Sequence, residues 1–117
     1  MTKLPSKLIL LPLVLLAQPI AAADDPPPFV PVYRENFPDP FILPHEGEFL
    51  AYATNAEGGR ANVQMARSSN LVDWQPVRDG SRLHDAMPDL PPWAREGWTW
   101  APEVIRNGDS FLLYFTA

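Results

Sequence analysis

A repeat with a period of 62 residues constrains the fold of this chain more than any other feature of its sequence. Segment 49–54 reads Phe-Leu-Ala-Tyr-Ala-Thr, and segment 111–116, which begins 62 positions later, reads Phe-Leu-Leu-Tyr-Phe-Thr. At the same offset, segment 40–43 (Pro-Phe-Ile-Leu) recurs as segment 102–105 (Pro-Glu-Val-Ile). Each copy predicts two short apolar strands joined by a turn that contains glycine. A fixed period of this kind indicates a propeller, a solenoid or another array.

Apolar alternation and turn residues predict one four-stranded unit around the first copy. We expect strands at residues 41–43, 49–54 and 62–67, and a short fourth strand around Trp74. Four successive antiparallel strands make one propeller blade. No helical period follows residue 23, so the predicted fold class is all-β.

The second unit is expected to open at Trp100, after a long connection. Residues 79–98 are rich in proline and tryptophan, which predicts a loop without strands, and a loop of this length is usually functional or disordered. The second copy stops at Ala117, directly after its second strand. We therefore expect the chain to be the front end of a longer repeat protein, with about one and a half blades present.

Residues 1–23 predict a secretory signal peptide. Lys3 and Lys7 precede an apolar run at residues 8–17, and three alanines at 21–23 provide the small residues of a cleavage site. The apolar run is short for a membrane span of about 20 residues, and an uncleaved anchor is the alternative interpretation. Cleavage predicts a secreted or periplasmic protein with no membrane attachment, in which residues 24–36 form a proline-rich lead-in.

The charge balance excludes some classes of partner. Without Lys3 and Lys7, seven of the nine basic residues remain, all of them arginines, against 14 acidic residues. Nucleic acids and anionic membranes reward clustered positive charge, so neither is expected as a partner. An acidic secreted chain suits a neutral substrate. The sequence has no cysteine, so no disulfide stabilises it.

Asp39 is the candidate catalytic residue, because the repeat does not require a carboxylate at its position. Its counterpart 62 residues later is Ala101, although a proline and an apolar strand follow in both copies. The innermost strand of a blade begins at the mouth of the central channel, a concave site in which general bases are found. The alternative is a turn aspartate before Pro40, and both interpretations stay open on spacing alone.

Trp100 and Asn55 are the candidate substrate-binding residues. Trp100 corresponds to Pro38 in the first copy and would stack on a sugar ring at the same mouth, or would pack between blades. Asn55 opens a loop at residues 55–61 on the same side. Trp93 and Trp98 would add outer sugar contacts or close the propeller face. His45 and His84 are isolated, without the spacing of metal ligands, so no metal or other cofactor is predicted.

Four motifs stand in order along most of the chain after residue 23. They are Phe37-Pro38-Asp39-Pro40-Phe41, the segment 47–54, the segment 67–74 that ends at Trp74, and Trp100-Ala101-Pro102-Glu103-Val104. Together they resemble the opening of glycoside hydrolase family 43. Asn70 departs from the aspartate that the family usually has in the third motif, a change within a turn.

The resemblance implies a five-bladed β-propeller that hydrolyses glycosidic bonds with inversion, typically in arabinose- or xylose-containing saccharides. Residues 37–117 would be the N-terminal part of this glycosidase domain. By resemblance Asp39 is the general base, and the aspartate that tunes the acid and the glutamate that serves as general acid lie beyond Ala117, so Glu103 is not the acid. We expect the isolated chain to be poorly folded and inactive.

Two other functions compete with the inverting glycosidase. A propeller that binds carbohydrate without catalysis would keep the shape and lack the downstream carboxylates. A related five-bladed family that acts on fructans opens with an Asn-Asp-Pro-Asn type of motif, which Pro38-Asp39-Pro40-Phe41 fits poorly.

Overall fold

The structure is a computed structural model that describes residues 29–117. The predicted signal peptide and residues 24–28 of the lead-in lie outside the described residues. The described part confirms the all-β class, since it contains eight strands and one 3₁₀ turn, Glu57–Gly59, and no α-helix. The strands are β1 (Phe41–His45), β2 (Glu48–Ala53), β3 (Gln64–Ser68), β4 (Gln75–Pro76), β5 (Arg78–Asp79), β6 (Arg82–Leu83), β7 (Trp100–Asn107) and β8 (Ser110–Thr116). Within residues 29–117, no helix is long and apolar enough to cross a membrane.

The first four strands form one antiparallel sheet in sequence order, as the predicted blade requires. In the first hairpin, Phe41 pairs with Tyr52. The turn is shorter than predicted, because β1 continues to His45 and only Glu46 and Gly47 stand between the strands. Both turn residues have positive φ, 48° and 85°, as a two-residue hairpin turn of type I′ requires.

The second hairpin, β7 and β8, repeats the register of the first. Glu103 pairs with Tyr114, and these residues stand 62 positions after the paired Phe41 and Tyr52. The register shifts between Trp100 and Glu103, because one additional residue on β7 forms a bulge. The repeat in the sequence is therefore a repeat in the hydrogen-bonded structure.

The third strand begins two residues later than predicted. The backbone N–H groups of Asn62 and Val63 donate to the two carboxylate oxygens of Asp85, at 2.7 and 3.0 Å. Asp85 also accepts the N–H of Met87 at 3.0 Å. Since a side chain takes the bonds that a neighbouring strand would otherwise accept, the regular ladder starts only at Gln64.

The prediction that residues 79–98 contain no strand was wrong at the start of this segment. Arg78 pairs with Leu83 and Asp79 pairs with Arg82, forming a two-stranded ribbon. Gly80, with φ of 62°, allows the tight turn of this ribbon. The predicted fourth strand is the two-residue β4, which starts directly after Trp74.

The turn between β3 and β4 is held by side chains. The Asn70 Oδ1 accepts the backbone N–H groups of Val72 and Asp73, at 2.9 and 2.8 Å. The Asn70 Nδ2 donates to the Asp73 carboxylate at 2.8 Å, a contact that an aspartate at position 70 could not make. The Trp74 indole N–H donates to the Leu71 carbonyl at 3.0 Å, which supports a scaffold role for Trp74.

The core lies between the two hairpins. Its buried centre is Tyr52 and Val63 from the first sheet and Val104 from the second hairpin. Burial raises the pKa of the Tyr52 phenol above its usual value of 10.0. Partly buried side chains surround this centre: Phe41, Leu43, Leu50, Met65, Ala86, Met87 and Leu113. The first hairpin therefore packs through the Phe41 and Tyr52 face, and the second packs back onto it through Val104.

Candidate active site

Asp39 lies at the end of the sheet where β1 begins and β2 ends. The carbonyl of the preceding Pro38 accepts the N–H of Thr54 at 3.1 Å, and regular pairing resumes at Phe41 and Tyr52. Two residues, Asp39 and Pro40, thus oppose the single residue Ala53, so Asp39 sits in a bulge. Its φ is 53°, in the left-handed region that few residues other than glycine adopt. Bulges re-aim side chains and are common beside active sites.

Ala101 shows that this backbone belongs to the repeat. It lies in the bulge of β7 between Trp100 and Glu103, and its φ is 46°. An alanine gains nothing chemically from this conformation, so the two positive φ angles reflect the architecture of the hairpins. The carboxylate is what distinguishes the first copy.

The Thr54 hydroxyl contacts both of these equivalent residues. Its oxygen donates a hydrogen bond to the Asp39 Oδ2 at 2.8 Å and accepts one from the Ala101 N–H at 3.0 Å. Thr54 is buried, with 7% of its surface exposed. Asp39 itself is exposed, so a buried hydroxyl holds one oxygen of a carboxylate that solvent can reach.

Asn55, the predicted substrate-binding residue, joins the two hairpins. Its backbone N–H and its Nδ2 both donate to the Thr99 carbonyl, at 3.1 and 2.9 Å. The Thr99 hydroxyl donates in turn to the Asn62 carbonyl. These bonds and the Thr54 contact to Ala101 form a seam between the hairpins. The side-chain nitrogen of Asn55 is thus engaged with backbone, and its role toward substrate stays a prediction.

Gln64 stabilises the same end of the sheet through its side-chain amide. The buried Nε2 donates to the Thr54 carbonyl at 2.8 Å and to the Asn36 carbonyl at 3.2 Å. Sequence reasoning singled out neither Gln64 nor Thr54 as a site residue. For Thr54 a signal existed, because the repeat ends with a threonine in both copies, here and at Thr116. For Gln64, outside both repeated segments, no signal was available.

Trp100 is half-buried and lies beside a second indole at the start of β7. The rings of Trp98 and Trp100 meet edge to face, with centroids 5.5 Å apart and an interplanar angle of 84°. The Arg95 guanidinium lies 5.6 Å from the Trp98 ring. Trp93 stacks on Phe115 of β8, with centroids 5.4 Å apart. Trp100 directly precedes Ala101, whose N–H bonds to Thr54, whereas Trp93 packs on the second hairpin.

The remaining candidate groups have other surroundings. Glu103 is exposed and is paired with Tyr114. The His84 Nδ1 lies 2.8 Å from the Asp79 carboxylate, and His45 packs edge to face on Phe111 at 5.4 Å. Among residues 29–117, no group of three or more histidine, cysteine or acidic side chains could hold a metal ion.

Comparison with known proteins identifies the family of this chain. The family model described as "Glycosyl hydrolases family 43" matches residues 29–117, which is the whole described part. The chain belongs to glycosyl hydrolase family 43. The predicted resemblance is thereby confirmed.

A solved structure has a fold similar to that of this chain. It is an exo-1,5-alpha-L-arabinanase from a bovine ruminal metagenomic library, with a TM-score of 0.52 and 23% sequence identity. The match covers 68% of this chain and 25% of the arabinanase, so the chain spans about a quarter of that enzyme's length. No curated protein matches the chain.

Proposed function

We propose that this chain is part of an inverting glycoside hydrolase that acts on arabinose- or xylose-containing saccharides, with Asp39 as general base. Membership of family 43 supports the reaction class. The assignment of Asp39 as the base rests on a comparison of two equivalent bulges. Asp39 replaces the alanine that suffices at position 101, and a buried hydroxyl donates to its carboxylate.

The proposed chemistry needs a carboxylate that holds a water molecule on one face of the sugar. In an inverting enzyme this carboxylate takes a proton from the water as it attacks the anomeric carbon. A carboxylic acid about 6.5–9.5 Å away protonates the leaving oxygen on the opposite face. Thr54 occupies the Asp39 Oδ2, which leaves the Oδ1 to accept the proton of the water. We assign the acid and a second aspartate that tunes it to later repeats of the complete protein.

The proposed architecture is a five-bladed propeller in which β1 to β4 form the first blade. The repeat supports this proposal, because the second hairpin packs on the first through Val104 in the way that successive blades pack. The residues equivalent to the Phe41 and Tyr52 face are Glu103 and Tyr114, whose side chains are exposed in residues 29–117 and offer a further repeat the same surface.

The proposed substrate includes α-1,5-linked arabinan, since the arabinanase of similar fold is named for that linkage. Trp100 is proposed to stack on a sugar ring beside Asp39, and Asn55 to contact substrate through its amide oxygen, since its nitrogen is engaged. Export as a secreted or periplasmic protein fits a polymer that cannot enter the cell.

The test measures hydrolysis by the complete protein that contains this chain. The substrates are aryl α-L-arabinofuranosides, aryl β-xylosides and linear arabinan, and the anomer released first is identified by NMR. We expect an α-linked arabinofuranoside to release the β-anomer, and the 117-residue chain alone to release nothing. Retention of configuration would contradict the proposed mechanism. Saccharide binding without turnover, confirmed by calorimetry, would instead support a non-catalytic binding propeller.

A further inference from the structure

We propose that Thr54 is a positioning residue for Asp39 and that it makes the orientation of the carboxylate depend on the docking of the second hairpin. This inference rests on the proposed role of Asp39 as general base. It assigns a function to a residue that contacts no substrate and acts through the carboxylate alone.

The Thr54 hydroxyl can form only a few hydrogen bonds. A threonine side chain has one hydrogen to donate and can accept through its oxygen lone pairs. The Ala101 N–H, 3.0 Å away, points at the Thr54 oxygen and fills an acceptor direction. The single hydroxyl hydrogen is then directed to the Asp39 Oδ2 at 2.8 Å. The two bonds reinforce each other, because an oxygen that accepts a hydrogen bond becomes a better donor.

A comparison of the two copies distinguishes the structural role of this threonine from its role toward Asp39. Thr116 ends the second copy as Thr54 ends the first, yet the equivalent of Asp39 in the second copy is Ala101. A threonine therefore recurs where its own hairpin has no carboxylate. Thr54 accepts a backbone N–H from the second hairpin, and in the first copy its hydroxyl hydrogen also has a carboxylate to hold.

The Asp39 side chain depends on Thr54 for its orientation. The carboxylate is exposed on a bulge, and the bond from Thr54 is the side-chain hydrogen bond that holds it in residues 29–117. Thr54 can impose an orientation because it is buried and because its backbone N–H is tied to Pro38. A misplacement of about 1 Å can lower a rate about 100-fold.

This orientation also depends on the seam between the hairpins. Ala101 belongs to β7, so its N–H reaches Thr54 only when the second hairpin is docked. The bonds from Asn55 to the Thr99 carbonyl hold the same approach. A loosened seam would release the Thr54 hydroxyl to rotate, and Asp39 would lose its fixed direction.

The test compares the removal of two buried hydroxyl groups, at Thr54 and at Ser68, in the complete protein. Thr54→Val removes the hydroxyl at nearly constant volume, and we expect kcat to fall about 10- to 100-fold while KM changes less than about threefold. Thr54→Ser keeps the hydroxyl and should restore kcat to within about threefold. Ser68→Ala is the control, because it removes another buried hydroxyl at the opposite end of the sheet, where Ser68 bonds to Asn70 and not to the seam; its kcat should stay within about threefold of the wild type.

The outcomes separate this inference from the proposed function. If the wild-type protein is active and Asp39→Ala is not, but Thr54→Val keeps full kcat, the positioning role is overturned and the base stands. If Thr54→Val and Ser68→Ala lower kcat equally, the effect is structural and the inference fails. In an Asp39→Ala background, Thr54→Val should have no further effect on kcat, because the two residues act as a unit. If no substrate is hydrolysed by the wild type, the proposed function and this inference fail together.

A folding defect would not leave the inference untested. Should Thr54→Val melt below the assay temperature, Thr54→Cys provides the second variant, because a thiol is a much weaker donor than a hydroxyl. The inference then requires a lower kcat for Thr54→Cys than for Thr54→Ser at equal folded fraction. Equal kcat values for the two variants would overturn it.

Discussion

The two hairpins of this chain share a backbone and differ in the residues that the backbone presents. In both, the same register of pairing follows a bulge that contains one residue of positive φ and then a proline. That residue is Asp39 in the first hairpin and Ala101 in the second. Since the unusual φ occurs with and without a carboxylate, it is a property of the repeat, and strain at Asp39 is by itself no evidence of catalysis. The chemical evidence is the substitution of the side chain and the hydrogen bond that Thr54 donates to it.

The hairpins also differ in what covers their equivalent faces. Tyr52 is 8% exposed on the face that meets the second hairpin, whereas its counterpart Tyr114 is 55% exposed. Leu43 is half-buried on the same face, and its counterpart Ile105 is 40% exposed. The first hairpin offers this face to the hairpin that follows it, and the proposed propeller predicts that the second hairpin does the same.

The largest expected effect comes from exchanging the residues that distinguish the two bulges. The double variant Asp39→Ala with Ala101→Asp should fold as well as the wild type, because each bulge already holds one of these residues at the same φ. Its kcat should be lower by about 10²–10⁴-fold, the usual contribution of a general base. Steady-state kinetics on an aryl arabinofuranoside and a thermal melt measure the two quantities.

The single variants complete this exchange. Asp39→Ala alone should lose as much activity as the double variant, and Ala101→Asp alone should keep kcat within about threefold, since a carboxylate in the second bulge has no proposed role. An active double variant would show that the position of the carboxylate does not matter. Asp39 would then be a turn residue, as the alternative from the sequence holds.

The sequence predicted the hairpins well because their determinants are local. Alternating apolar residues and a glycine at each turn specify strand pairs, so the boundaries of β2, β7 and β8 agree with expectation to within a residue or two. The start of β3 was missed because it depends on Asp85, which stands more than 20 residues along the chain. The ribbon of β5 and β6 was missed because strands of two residues are too short for an alternation to show.

The candidate site was predictable only in part, for a related reason. The repeat isolated Asp39, since comparing two copies reveals the residue that the scaffold does not need. The same comparison could not assign Thr54, because a residue that recurs in both copies resembles scaffold, and its contact with Asp39 exists only in three dimensions. The amide of Asn55 was predicted to face substrate, and its nitrogen forms a bond between the hairpins that the sequence did not predict. Neighbouring positions in a loop do not reveal such a partner 44 residues away.

A smaller effect, on stability, is expected from substitutions on the two faces of the second hairpin. Val104 is 3% exposed and packs on the first sheet, so Val104→Ala should lower the free energy of unfolding by about 1.5–2.5 kcal/mol. If a third repeat covers the opposite face, Ile105→Ala should cost a similar amount in the complete protein. Urea unfolding of both variants provides the measurement. A cost below about 0.5 kcal/mol for Ile105→Ala would show that the face stays exposed, and it would contradict the proposed propeller.

The smallest effect concerns the two equivalent tyrosines and appears only at high pH. Burial raises the pKa of Tyr52 above 10.0, because the charged phenolate is disfavoured in the core. The stability that comes from keeping Tyr52 neutral is therefore fully present below about pH 10 and is lost as the pH rises through the higher pKa of the folded state. Tyr52→Phe removes this titration, so unfolding measured from pH 9 to 11.5 should show a shallower loss of stability than in the wild type. Tyr114→Phe, measured in the same protein, is the matched control, because it removes a hydroxyl from the exposed counterpart of Tyr52. If Tyr52→Phe loses stability with rising pH as steeply as the wild type, Tyr52 is not buried in solution. The difference in burial between the two hairpins would then be wrong.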